Sequence, residues 1–220
     1  MQIIPVINCD DFQCVKNKVI KINEFVFNAI KATYIHIDIA DGKYATEPKW
    51  NDPESLQEFI AKNNFAFNLS VHFMMKRPSV EIKCWSSLIT KAAIPLDSDE
   101  NAKELAELCR TINIIPCLSI PPSKTVNEAL VYADDFNDFQ ILTVSPGPSG
   151  QTMSADTLDK ISVLRNALPS ATIEVDGGVS SATALALKSA GANILLSGSY
   201  IFNSVEPRLA YLELSQLCNL

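Results

Sequence analysis

Tyr34-Ile35-His36-Ile37-Asp38-Ile39-Ala40-Asp41-Gly42 is an apolar run whose carboxyl end carries a histidine and two aspartates before a glycine. Period-2 alternation places His36 and Asp38 on one face of a strand. The only other histidine, His72, stands in Leu69-Ser70-Val71-His72-Phe73-Met74, again where an apolar run ends. A third run, Thr172-Ile173-Glu174-Val175-Asp176-Gly177-Gly178, finishes on another aspartate. Two imidazoles and two carboxylates at three strand ends form a donor set for one divalent metal: His36, Asp38, His72 and Asp176. Several strands delivering chemistry at their carboxyl ends is the habit of a barrel.

Outward from these stretches, apolar runs alternate with longer amphipathic segments along the whole chain. Strands are predicted at about 3–7, 34–38, 67–72, 88–93, 113–118, 139–144, 171–175 and 193–196. Helices are predicted between and after them, at about 12–30, 53–63, 78–86, 99–111, 124–132, 154–167, 181–189 and 206–217. Asp52-Pro53 reads as an N-cap followed by proline at the first helical position, and Ser180 or Ser181 opens the helix near Ala182. Eight repeats with no low-complexity linker predict a single (β/α)8 TIM barrel over residues 1–220. A doubly wound open sheet is the alternative. The repeat count and the scatter of site residues over several strand ends favour the barrel.

At 220 residues the chain is long enough for one sizeable core. No apolar run approaches the roughly 18 residues of a membrane span, and the start lacks the features of a signal peptide. A cytoplasmic protein is expected. The six cysteines, at 9, 14, 84, 109, 117 and 218, show neither a CxxC pair nor a disulfide framework, so reduced thiols are expected. The net charge of −7 argues against nucleic acid as a partner. An anionic small molecule would need backbone amides and helix N-termini to hold it, since the overall field repels it.

Five of the seven glycines follow late strands. Gly147 and Gly150 lie in Ser145-Pro146-Gly147-Pro148-Ser149-Gly150-Gln151, Gly177 and Gly178 follow the seventh strand, and Gly198 precedes Ser199 after the eighth. Loops after strands seven and eight are the usual phosphate site of such barrels. The bland alternative is a set of tight turns.

Taken together, HxDxxDG at 36–42, VHxM at 71–74, PGxxGQ at 146–151 and VDGG at 175–178 resemble the ribulose-phosphate 3-epimerase family, as do Pro5–Phe12 and Gly198–Phe202. The resemblance implies a (β/α)8 barrel and one divalent ion (zinc, iron, manganese or cobalt) on His36, Asp38, His72 and Asp176. It also implies that Asp38 and Asp176 act as acid and base on opposite faces of a ketose phosphate, interconverting D-ribulose 5-phosphate and D-xylulose 5-phosphate. Substrate contacts are expected from Cys9, His72, Met74, Gly147, Gly150, Gly177, Gly178, Gly198 and Ser199. A homo-oligomer is expected, of a size the sequence does not fix.

The chain also departs from the family. Cys9 replaces a serine, Ala40 and Leu142 replace methionines, the fourth-strand segment Leu88–Ala93 lacks a histidine, and Lys43–Pro48 differs. Alternatives therefore stay open: epimerisation of another ketose phosphate such as allulose 6-phosphate, another sugar-phosphate reaction, or a catalytically silent sugar-phosphate-binding barrel. Decarboxylases of this kind normally place a lysine two residues after a strand-end aspartate; here the pattern is histidine, then aspartate, which disfavours them. Asp41 reads as a turn residue on the other strand face, and Lys43, Lys49 and Arg77 as solvated loop charges rather than substrate clamps. Cys9 reads as packing or, less favoured, as a thiolate near the metal.

Overall fold

Each apolar run becomes a strand that shows one face to the barrel interior and the other to a helix. The computed structural model describes residues 1–24, 34–148 and 150–219. The barrel strands are β1 (Gln2–Asn8), β2 (Tyr34–Asp41), β4 (Asn68–Met74), β5 (Ile89–Pro95), β6 (Ile115–Ile120), β7 (Asp138–Leu142), β8 (Thr172–Asp176) and β9 (Ile194–Ser197). A two-residue strand, β3 (Pro48–Lys49), folds back antiparallel onto the end of β2, with Ala40 opposite Lys49. The parallel order runs β1, β9, β8, β7, β6, β5, β4, β2, and a β1–β2 pairing that sets Asn8 beside Asp38 closes the ring. That closure makes the fold a (β/α)8 TIM barrel and rules out the open sheet.

The helices are α1 (Phe12–Ile22), α2 (Pro53–Asn63), α3 (Ser79–Cys84), α4 (Ala102–Thr111), α5 (Val126–Leu130), α6 (Thr157–Ala167), α7 (Ser181–Ala190), α8 (Ser199–Phe202) and α9 (Pro207–Asn219). Positions 25–30 of the predicted first helix lie outside the described residues. Local chemistry sets the ends. Asp52 accepts from the Ser55 amide at 3.1 Å with Pro53 in the first turn, and Ser180 and Thr183 form a reciprocal cap on α7. The short β3 and α8 were not anticipated, because two- and four-residue elements carry too little periodicity to read.

Alternation along the strands sorts the core. Ile35, Ile37 and Ile39 of β2 and Val71 and Phe73 of β4 join one large apolar cluster with helix residues such as Val15, Leu56 and Ile82. The intervening residues His36, Asp38, Ser70 and His72 are equally buried but polar. The hydrophobic effect therefore acts mainly between barrel and helices. The interior is mixed, with a polar column beside a small apolar cluster of Ile4, Val6 and Leu196. At its lower end Lys91 of β5 pairs with Asp138 of β7 at 2.6 Å and with Glu174 of β8 at 2.5 Å, all three buried.

Two expectations need correction. Cys9 and Cys14 are joined by a disulfide, leaving Cys84, Cys109, Cys117 and Cys218 free. The turn at Asp10–Asp11 and the α1 cap, where Asp11 accepts from the Cys14 amide at 2.8 Å, bring the two sulfurs together although their spacing fits no framework. Lys49 is not a solvated loop charge: its side chain is 5% exposed and pairs with Asp10 at 2.7 Å, because β3 folds it against β2. Asp41 behaves as expected, accepting from the Lys43 and Tyr44 amides at 2.8 and 3.0 Å in the turn.

Candidate metal centre

β2, β4 and β8 end on the same rim and bring His36, Asp38, His72 and Asp176 together. One donor atom from each lies within 4.8 Å of the others, and all four residues are buried. His36 Nε2 is 3.5 Å from Asp38 Oδ1, and His72 Nδ1 is 3.7 Å from that same oxygen and 3.9 Å from Asp176 Oδ2. These are facing distances rather than hydrogen bonds.

The outer ring nitrogens are occupied. His36 Nδ1 is 3.0 Å from Ser70 Oγ, and His72 Nε2 is 3.2 Å from Ser119 Oγ. In the register, Ser70 lies beside His36 on the neighbouring strand, while Ser119 reaches His72 from β6. A hydroxyl on the far nitrogen fixes the ring and turns the near nitrogen's lone pair inward, as metal-ligating histidines require.

Three buried atoms are left without a hydrogen-bond partner and face one another: His36 Nε2, Asp38 Oδ1 and His72 Nδ1. Orphaned buried polar atoms are costly, and three converging on one point need a common partner. A divalent cation would satisfy all three, with Asp176 completing a mixed nitrogen and oxygen set. The residues fit such an ion.

Two amides hold the carboxylates. Asn8 Nδ2 donates to Asp38 Oδ2 at 2.9 Å and also to the Gly147 carbonyl at 3.2 Å. Gln140 Nε2 donates to Asp176 Oδ2 at 3.2 Å. Burial pushes the Asp38 carboxyl up, but the facing His36 and His72 rings outweigh it and hold it well below the carboxylate range. Burial, then the charge of Asp38, pushes Asp176 up to about 8. Burial depresses His72 and opposes protonation of His36, where the facing Asp38 carboxylate and other nearby negative charge prevail and raise it. Without an ion, the two carboxylates thus divide into one that stays charged and one that holds its proton.

Above the cluster opens a cleft between the loops that follow β7, β8 and β9. Asp38 and Asp176 form its floor, with Val6, Asn8, Met74 and Leu142 beside them. Gly147 and Gly150 line one wall, and Gly177, Gly178, Gly198 and Ser199 another. Ser149 lies outside the described residues. Gly177 cannot be replaced cheaply: its φ is +100°, and a Cβ there would fall 2.7 Å from Thr143 Oγ1 and Val144 Cγ2. Met74 both lines the cleft and packs on Ala40 and Ala45. Thr46, in the loop after β2, reaches within 3.3 Å of where a Gly147 Cβ would stand, so two loops meet across the mouth.

Cys9 departs from expectation. Its sulfur is bonded to Cys14, its side chain belongs to the outer core, and it is not among the cleft-lining residues. It has no free thiol for substrate or metal. Asn8, Ser70, Ser119 and Gln140 were not singled out from the sequence. Period-2 alternation from His72 and Asp176 would have pointed Ser70 and Glu174 inward, but nothing local couples Ser119 or Gln140 to the site.

A model described as the ribulose-phosphate 3 epimerase family matches residues 2–202. The cytoplasmic isoform of ribulose-phosphate 3-epimerase from Oryza sativa subsp. japonica is 31% identical over 183 residues, covering 80% of this chain and 78% of its own. Ribulose-phosphate 3-epimerase of Helicobacter pylori J99 is 26% identical over 216 residues, covering 96% and 94%. Among solved structures, 3-hexulose-6-phosphate synthase from Salmonella typhimurium superposes with a TM-score of 0.72 at 11% identity, over 99% of this chain and 98% of its own. KGPDC from Streptococcus mutans in complex with D-R5P gives 0.70 at 10% identity, over 99% and 96%. At such identities these two likenesses speak to the fold alone.

Proposed function

Because the chain belongs to the ribulose-phosphate 3-epimerase family, we propose that it is a metal-dependent epimerase that interconverts D-ribulose 5-phosphate and D-xylulose 5-phosphate. The observation that carries this reading is the convergence of three orphaned donor atoms beside two carboxylates on the floor of the cleft. His36, Asp38, His72 and Asp176 would hold one divalent ion, for which zinc, iron, manganese and cobalt all suit the donor set. When bound, that ion supplies electrostatic stabilisation of the negative charge that develops on the substrate oxygens.

The chain's own residues do the rest. The C3–H bond next to the ketone breaks heterolytically: one aspartate takes the proton, and the electron pair remains on the substrate as an enediolate. The other aspartate delivers a proton to the opposite face of C3, so configuration inverts and atoms balance. Asp38 and Asp176 come from β2 and β8, on either side of β1 and β9, which suits one carboxylate to each face. Backbone amides around Gly177, Gly178, Gly198 and Ser199 would hold the phosphate, with no single basic side chain required. Burial of Asp38 and Asp176 limits the water that surrounds the transferring proton.

Deuterium wash-in at C3, run in heavy water from each epimer, tests the reading. Wild type should label C3 from both epimers, and Asp38→Asn or Asp176→Asn should each cut turnover by about 10²–10⁴-fold. Exchange with a hexulose phosphate but no pentulose phosphate would reassign the substrate. No C3 exchange with any ketose phosphate would leave a barrel that only binds sugar phosphates.

A further inference from the structure

We propose that Asn8 and Gln140 are a matched pair of positioning residues, one for each acid–base carboxylate, and that each sets the direction in which its aspartate moves the proton. The inference rests on the epimerase reading of the same site. Each amide donates one hydrogen bond to a carboxylate, Asn8 Nδ2 to Asp38 and Gln140 Nε2 to Asp176, and does so from a different strand of the barrel.

The two amides hold their partners in opposite ways. In Asp38, Oδ1 faces His36 and His72, while Asn8 grips the other oxygen, Oδ2. In Asp176 it is Oδ2 that both faces His72 and accepts from Gln140. Gln140 thus pins the oxygen turned toward the cluster and leaves Oδ1 for the proton. Asn8 pins the oxygen turned away from the cluster. It also ties that oxygen to the Gly147 carbonyl, so the Asp38 carboxylate is linked to a cleft-wall loop.

A carboxylate that rotates about its last torsion has two equivalent oxygens to offer, and terminal torsions of this kind are broad. Proton transfer needs one oxygen held in line with C3, within hydrogen-bond reach. A neutral amide achieves this without a competing charge. Gln140 is completely buried on β7 and its Oε1 has no partner, so the structure keeps a buried polar side chain there for the single bond to Asp176.

The experiment uses the metal-loaded, full-length enzyme and follows two rates from each epimer in heavy water: C3 exchange with retention, and inversion. Weakening one carboxylate slows inversion from both epimers. It leaves the first proton removal intact only from the epimer that the other carboxylate attacks, and from that epimer exchange should outrun inversion. For Gln140→Met the exchange-to-inversion ratio should rise by about tenfold from one epimer only, the size of effect expected when one hydrogen bond to a charged group is lost. For Asn8→Ser it should rise from the opposite epimer. Metal content, measured in parallel, should stay near that of wild type.

If Gln140→Met fails to fold, Gln140→Glu keeps the shape, exchanges donor for acceptor, and is judged by the same ratio. An active wild type whose variants change the ratio equally from both epimers, or both from the same epimer, would overturn this inference alone. A wild type without C3 exchange would overturn the epimerase reading, and this inference with it.

Discussion

Ser119 on β6 stands 3.2 Å from Nε2 of His72 on β4, two strands away, and so decides that Nδ1 of that ring faces Asp38 and Asp176. A hydroxyl outside both the four-residue cluster and the cleft therefore fixes which nitrogen is turned toward the carboxylates. Purified protein should carry close to one divalent ion per chain, and His72→Ala should lose most of it. Ser119→Ala should weaken metal affinity by about 10–100-fold, the usual effect of removing such an outer partner. Competition against a chelator of known affinity measures both. Unchanged affinity in Ser119→Ala would mean that ring orientation is set by packing instead.

Metal-free protein should lose stability as pH rises from about 5 to 8. Asp176 is pushed up to about 8 by burial and by the charge of Asp38, whereas an unfolded aspartate titrates near 3.9. Between those values the folded state holds a proton that the unfolded state lacks, so stability falls with rising pH across the window. His36, raised, adds to the fall, and His72, lowered, opposes it. Saturating metal takes the place of the proton and should flatten or reverse the slope. Thermal melts at pH 5 and pH 8, with and without chelator, check the sign.

Lys91→Met should destabilise the fold by about 3–5 kcal/mol, because it strands two buried carboxylates, Asp138 and Glu174, without their cation. Urea denaturation provides the measurement. Metal content of the surviving folded protein should change little, since the triad lies below the ligand layer. A loss under about 1 kcal/mol would show that the carboxylates take up protons at little cost.

Gly198→Val should raise KM for the phosphorylated substrate sharply while sparing metal content. A Cβ at Gly198 would stand 3.3 Å from the Val6 carbonyl, so the added bulk has no room on that side and crowds the cleft wall. Steady-state kinetics with a ketose phosphate and its unphosphorylated counterpart separate the two effects. Equal turnover of both by wild type would remove the phosphate from the recognition scheme.

Much of this was legible in the sequence, for physical reasons. Eight alternating segments fixed the barrel because each strand end and helix cap is a local signal: the start of α2 at 53 follows from Asp52-Pro53. His36, Asp38, His72 and Asp176 stood out because titratable residues at strand ends are conspicuous against an apolar background. Ser119, Gln140 and Asn8 did not, since their partners are set by the cross-section of the closed ring rather than by spacing along the chain. The Cys9–Cys14 bond escaped for a similar reason: a turn and a cap join two residues whose separation spells no motif. Burial of Lys49 depended on a two-residue strand too short to read.

The meeting of Thr46 with Gly147 over the mouth of the barrel has a consequence for how such a molecule can diversify. The two carboxylates proposed to move the proton reside on strands, each held by an amide on another strand, whereas the rim over the cleft is made where two loops touch. Insertions or replacements in those loops would alter what reaches the cleft while leaving those carboxylates in register. Inheritance of the reaction and innovation in the substrate are thus assigned to separate parts of one chain.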